Sequence, residues 1–173
     1  SLITSMMCIS CCNTASHYDS GVSWELAEWR KATIQNLRYE LGFDLVDNIG
    51  SATLLFEVEK PQKIVIDFRN TELVTSVEGM AYSLENEHIV IPKSEIKSGE
   101  NRVVVEFDID NQSLNRQEKF LYTLLVPDRA RTLFPCFDQP NLKASYSLTL
   151  RTPKNWVAVS NTSVESEEVG EDS

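Results

Sequence analysis

Histidine is scarce in this chain of 173 residues, with His17 and His88 the only two. Chemistry that gathers several imidazoles around a metal or a nucleophile has little to draw on here. The string His-Glu-x-x-His, which sets two imidazoles one helical turn apart beside a glutamate base, does not occur. Neither does Gly-x-Ser-x-Gly, a P-loop or a dinucleotide fingerprint. Bases are outnumbered, 16 Lys+Arg against 26 Asp+Glu, for a net charge of −10. With no local basic stripe, such a surface repels phosphate backbones, which excludes nucleic acid as a partner. Six Gly and six Pro are too few for a collagen-like or low-complexity chain. Long apolar runs are missing as well, since Leu2 to Cys12 falls short of the roughly 20 residues that span a bilayer. Cysteine is confined: Cys8, Cys11 and Cys12 crowd the start and only Cys136 lies in the body, so no disulfide can form within it.

What is present is the make-up of an ordinary globular domain, 42% apolar and 9% aromatic. Residues 1–20 read as the remainder of a secretory leader and its linker, an apolar h-region without the basic n-region that normally precedes it. Cys8-Ile9-Ser10-Cys11 and Ile9-Ser10-Cys11-Cys12 resemble the lipobox of a bacterial lipoprotein. That makes Cys11 or Cys12 the candidate lipidated residue and places the protein as exported, periplasmic or membrane-anchored. The other reading, a Cys-x-x-Cys-Cys metal or redox site, lacks folded partners to orient the thiolates. Residues 21–164 form the folded domain. Residues 165–173, with Glu165, Glu167, Glu168, Glu171 and Asp172 and no base, read as a solvated acidic loop at which the chain is interrupted.

Within the body, Ser23 is a helix N-cap ahead of Trp24 to Lys31, with acids early and bases late. The period then changes to two: Leu37, Tyr39, Leu41, Phe43 and Leu45 alternate with polar residues, as on a half-buried strand. Further strands are expected over 52–58, 63–68, 73–77, 80–84, 88–91, 103–109, 120–126, 144–150 and 156–159, punctuated by Gly, Pro and Asn. Many short strands with no alternating helices predict an all-β fold, an antiparallel β-sandwich with a short N-terminal helix.

Candidate chemistry is thin. His88 sits on a strand with no second histidine nearby and reads as a core residue; His17 has less support still. Acidic residues are numerous, but no spacing places two of them across a cleft as glycoside hydrolysis requires. Trp24, Trp29 and Trp156 are candidates for a carbohydrate-binding face, although packing is the simpler role for each. The densest segment runs from Val126 to Ala144. Two prolines bracket Cys136-Phe137-Asp138-Gln139, Phe134 and Phe137 can bury on opposite sides, and Asp138 can accept backbone N–H bonds or pair with Arg129, Arg131 or Lys143. Cys136, between aromatics and without a His partner, reads as a small buried hydrophobe.

That segment resembles the signature of the aminopeptidase N family of zinc metallopeptidases (membrane alanyl aminopeptidase-like). The family's N-terminal domain carries Ala-Arg-x-x-Phe-Pro-Cys-Phe-Asp-Glu-Pro-x-x-Lys-Ala. The match falls on Ala130, Arg131, Phe134, Pro135, Cys136, Phe137, Asp138, Pro140, Lys143 and Ala144, with Gln139 where Glu is usual. Tyr39-x-Leu41-x-Phe43 and Ile64-Val65-Ile66-Asp67-Phe68 resemble earlier strands of the same domain.

The resemblance implies a non-catalytic, saddle-shaped β-sandwich whose last strands are missing here, leaving open edges and a tendency to self-associate. Such a domain packs on a downstream thermolysin-like catalytic domain and walls one side of its active site. Zinc and the motifs Gly-x-Met-Glu-Asn and His-Glu-x-x-His belong to that catalytic domain, so no cofactor is expected in this chain. Its partners are then its own catalytic domain and, through it, peptide substrates. The family's Gln-x-Gln/Glu pair, which helps hold the substrate α-amino group, falls on Leu124 and Val126, which cannot do that work. Asp128 is a neighbour that could substitute, and the anchor stays unassigned. The alternative reading is a lipid-anchored β-sandwich that binds carbohydrate or protein at a bacterial surface.

Overall fold

The computed structural model describes residues 18–112 and 114–168. Helix α1 (Trp24–Thr33) starts where Ser23 caps it, its hydroxyl accepting the Leu26 N–H at 3.1 Å. Ten strands follow: β1 (Ile34–Asp44), β2 (Ile49–Val58), β3 (Ile64–Asp67), β4 (Val74–Val77), β5 (Ser83–Glu85), β6 (His88–Ile91), β7 (Gly99–Asp108), β8 (Leu114–Arg116), β9 (Leu121–Thr123) and β10 (Ser145–Arg151). They build a five-stranded sheet in the order β10-β1-β2-β7-β4, a three-stranded sheet in the order β3-β6-β5, and a β8-β9 ribbon. Pairing is antiparallel except for β1 with β10, which run parallel from Arg38↔Ser145 to Asp44↔Arg151.

The alternating strand β1 puts Leu37, Tyr39, Leu41 and Phe43 into the core, where they join Leu54 and Phe56 of β2 and Val103, Val105 and Phe107 of β7. Against this sheet lie Ile64 and Ile66 of β3 and Ile89 and Ile91 of β6. Every residue of β3 and β6 is buried, because α1 covers their other face and packs Leu26 on Val65 and Val90. The small sheet therefore reads as continuous apolar runs rather than alternation, as a layer covered on both sides must. At Gly50 on β2, a Cβ would lie 2.3 Å from the Phe107 ring, so glycine is required for the ring to pack.

Several expected elements differ. The run 156–159 is not a strand; Asn155 adopts φ +70°, and Val157 and Val159 are exposed. Val157, Val159 and Trp156 supply β propensity there, but among the described residues no neighbouring strand pairs with them. Strand β9 covers three residues of the expected 120–126, and β8 was not anticipated, since only Leu114 of its three residues is apolar. Trp156 is half-buried off any strand, while Trp24 is 74% exposed on the first turn of α1, so packing does not account for it. Trp29 packs against both apolar clusters. Among the described residues no helix is long and apolar enough to cross a membrane. Cys11, Cys12, Cys8 and His17 lie outside the described residues.

Candidate functional site

The signature segment folds as a compact corner clamped to the small sheet. A single 3-10 turn, Ala130–Thr132, opens it. The chain then pairs with the end of β3, the Asp67 N–H donating to Cys136 O at 2.8 Å and the Cys136 N–H to Asp67 O at 3.0 Å. Phe137 donates its N–H to the Tyr39 hydroxyl at 2.9 Å, which ties the corner to β1 as well. Phe134 and Phe137 do diverge: Phe134 meets Tyr39 and Phe43 edge-on, whereas Phe137 packs against Phe56 under the Arg30 guanidinium. Cys136 is buried, and burial, with Asp138 and Asp67 nearby, pushes its thiol well up, so it is no nucleophile. The same burial raises the Tyr39 hydroxyl.

Beneath the corner lies a fully buried ion pair that joins three distant parts of the sequence. Arg30 of α1 forks onto Asp67 of β3, NH2 to Oδ1 at 2.6 Å and NH1 to Oδ2 at 2.8 Å, and NH2 also donates to Val65 O at 2.7 Å. Oδ2 of Asp67 accepts the Asp138 backbone N–H at 2.9 Å. His88 of β6 brings Nδ1 to 3.1 Å from Asp67 Oδ1. Burial pushes the Asp67 carboxyl up, but His88, Arg30 and the Asp138 N–H together outweigh it and hold the group below its ordinary range. Gln139 completes the corner, its amide donating to Ala27 O at 3.0 Å and to Asn141 Oδ1 at 2.8 Å, with Oε1 3.5 Å from Arg30. A glutamate at this position could not make the first of these bonds, since a carboxylate has no donor.

The remaining signature residues divide between core and surface. Ala130 is half-buried, Pro135 is buried, and Pro140 and Lys143 are exposed. Arg131 is buried and pairs with Glu87 of the β5-β6 turn, with Asp128 3.6 Å away. Asp138 is not the ion-pair partner expected for Arg129, Arg131 or Lys143. Its side chain instead accepts the Arg131 backbone N–H at 3.1 Å. Burial and the neighbouring Asp67 raise the Asp138 carboxyl against that bond. Between the corner and the preceding loop is a cleft of about 270 Å³ walled by Tyr39, Pro127, Phe134 and Leu142, with Asp128 and Asp138 at its edge.

Leu124 and Val126 are 51% and 73% exposed. Phe120 and Tyr122 are also more than half exposed, so the stretch from β9 into the following turn leaves four large apolar side chains uncovered. The Phe120 and Tyr122 rings stack at 6.3 Å. Among the described residues no group of three or more His, Cys, Asp or Glu side chains could hold a metal ion. The described residues do not fit zinc, because His88 and Asp67 face each other in the buried cluster and the Cys136 thiol is sealed.

The sequence profile of the Peptidase M1 N-terminal domain matches residues 38–173. The chain belongs to that family. It is 50% identical over 46 residues to glutamyl aminopeptidase of Sus scrofa, covering 27% of this chain and 5% of that protein. It is 44% identical over 45 residues to aminopeptidase N of Streptomyces lividans, covering 25% and 5%. Among solved structures, Legionella pneumophila aminopeptidase A in complex with aspartic acid superposes with a TM-score of 0.56 at 13% identity, over 68% of this chain and 16% of that one. Native yeast LTA4 hydrolase gives 0.56 at 17%, over 80% and 25%. The aligned stretches cover about 5% of the length of these curated relatives, and at these identities the structural neighbours establish the fold of this M1 N-terminal domain.

Sequence reasoning on this M1 domain found the corner but missed the Arg30-Asp67-His88 cluster beneath it. A signal existed: Asp67 and His88 each interrupt or border a run of apolar residues, and they are register partners on β3 and β6.

Proposed function

We propose that this chain is the non-catalytic N-terminal domain of a zinc-dependent aminopeptidase, packed on a catalytic domain of the same polypeptide and walling its active site. The observation that carries this reading, beyond family membership, is the exposure of Phe120, Tyr122, Leu124 and Val126. Exposed apolar side chains gathered in this way mark a surface made to be covered. The covering domain would hold the zinc and activate a water on it for peptide hydrolysis. This domain would contribute rigidity and shape: the Arg30-Asp67 pair fixes the corner, and the corner fixes the segment leading from β9. Leu124 and Val126 offer a substrate amine only apolar contact, so the amine is anchored elsewhere. The protein is exported and anchored through lipid on Cys11 or Cys12, and its partners are its own catalytic domain and peptides.

The test uses the full polypeptide. Tyr122→Asp should uncouple the domains and lower peptidase activity at least tenfold, with zinc content unchanged. Wild-type activity in that variant would overturn the reading, as would zinc-dependent turnover of amino-acid amides by this domain alone. The stacked, exposed Phe120-Tyr122 pair also favours a second reading, a sugar-binding face. Saturable glycan binding lost in Tyr122→Ala would select it.

A further inference from the structure

On the outer side of the small sheet, α1 and the start of β3 leave a cleft between them of about 380 Å³, within the range of small-molecule pockets. Its floor is aliphatic: Leu26 of α1 rests on Val65 of β3, and both are buried. Its walls are aromatic, formed by Trp29 of α1 and by Tyr18 on the chain that leads into the helix. Both rings are held in place. Asn86 Nδ2 donates to the Tyr18 carbonyl at 2.7 Å, the Tyr18 ring meets His88 edge-on at 5.7 Å, and the Lys63 ammonium sits 4.8 Å above its face. Trp29 is packed against both apolar clusters. Each side of the cleft also brings one charge, Glu25 from the first turn of α1 and Lys63 from just ahead of β3.

This combination selects a ligand class. A sugar ring needs an open aromatic face to lie on, whereas Lys63 covers the Tyr18 ring and Trp29 is packed among apolar side chains. A phosphate would meet a carboxylate beside its one ammonium, on a chain of net charge −10. A wholly apolar molecule would draw water away from both charges and give nothing in return. A zwitterion with an apolar side chain answers every wall at once. We propose that the cleft between α1 and β3 binds a free α-amino acid with a large aliphatic side chain, its ammonium on Glu25, its carboxylate on Lys63 and its side chain on Leu26 and Val65. An ammonium has three N–H donors, so Lys63 can keep the Tyr18 ring and take a carboxylate oxygen as well. The free acid differs from either end of a peptide, since an amino-terminal residue lacks the carboxylate and a carboxy-terminal one lacks the ammonium. The site stands on the cleft alone; that its ligand is the kind of molecule an aminopeptidase releases rests on the function proposed above.

The test is titration of the whole chain, labelled with nitrogen-15, with leucine, leucinamide, N-acetylleucine and glycine, read at the Trp29 indole N–H. Leucine should give a saturable shift with a Kd of about 1 mM, as suits a ligand of so few atoms. Leucinamide, without the carboxylate, and N-acetylleucine, without the ammonium, should each bind about fivefold more weakly, and glycine should not saturate. Glu25→Gln should weaken leucine about fivefold yet leave N-acetylleucine unchanged, because two deletions of one contact do not add. Lys63→Gln should likewise weaken leucine and leave leucinamide unchanged. Tyr122→Asp should leave the titration as it is, so this site and the peptidase reading fail separately. No saturable shift with leucine, either analogue binding as well as leucine, or Glu25→Gln without effect would each overturn the proposal.

Discussion

The corner of residues 130–142 and the segment of residues 120–126 are close in sequence and both carry large apolar side chains, yet they have opposite environments. In the corner, Leu133, Cys136 and Phe137 are less than a tenth exposed, and hydrogen bonds tie the chain to β1, β3 and α1. In the segment, Phe120, Tyr122, Leu124 and Val126 are more than half exposed, on β9 and the chain to either side of it. Apolar character alone therefore does not say what a residue does here. The corner spends it on the domain's own stability, and the ribbon keeps it for another surface.

Substitution should split the two regions by an order of magnitude. Asp67→Ala leaves the Arg30 guanidinium buried without its counter-charge and should cost about 3–5 kcal/mol in urea unfolding at neutral pH. The same pair should make the fold acid-sensitive. Because the folded Asp67 carboxyl lies below its ordinary range, its stabilisation is complete above the unfolded value and fades as the pH falls through the folded one. Wild type should thus lose stability in acid, and Asp67→Ala should lose less over the same interval. Phe107→Ala, which empties the space under Gly50, should cost about 3–5 kcal/mol by the same assay.

Smaller effects sharpen the contrast. Gln139→Ala removes the donor for Ala27 O and should cost about 1–3 kcal/mol, felt as fraying of α1 in hydrogen exchange. Tyr122→Ser or Val126→Ser should change the stability of this domain by no more than about 0.5 kcal/mol while reducing self-association in sedimentation. A large loss from either would mean that the ribbon is part of the core. The smallest change is at Asp138. Its folded carboxyl is raised, which opposes stability as the pH climbs past the unfolded value. Asp138→Asn, which keeps an oxygen for the Arg131 N–H, should leave the melt unchanged in acid and raise it slightly at neutral pH.

The fold was legible where one rule governed a segment. Strand β1 alternates because one face is buried, and α1 declares itself through Ser23 and its charge order. Legibility failed where pairing depended on a distant partner. Among the described residues the run 156–159 has strand composition and no strand to meet, while β8, with Leu114 its one apolar residue, forms because β9 folds back on it. The signature corner could be located from its prolines and aromatics. Its ionic foundation could not, because residues 30, 67 and 88 converge only once α1 has crossed the small sheet and β3 has paired with β6.

The parallel pairing of β10 with β1 has a consequence for synthesis on the ribosome. Strand β1 meets β2 through a four-residue turn, but its other partner follows more than a hundred residues later, as the bond between Arg151 and Asp44 across 107 positions records. Until that stretch has emerged from the exit tunnel, the nascent chain displays one bare flank of β1, a template for foreign strands. The order of translation, rather than the finished energetics, then decides how long this domain needs a chaperone.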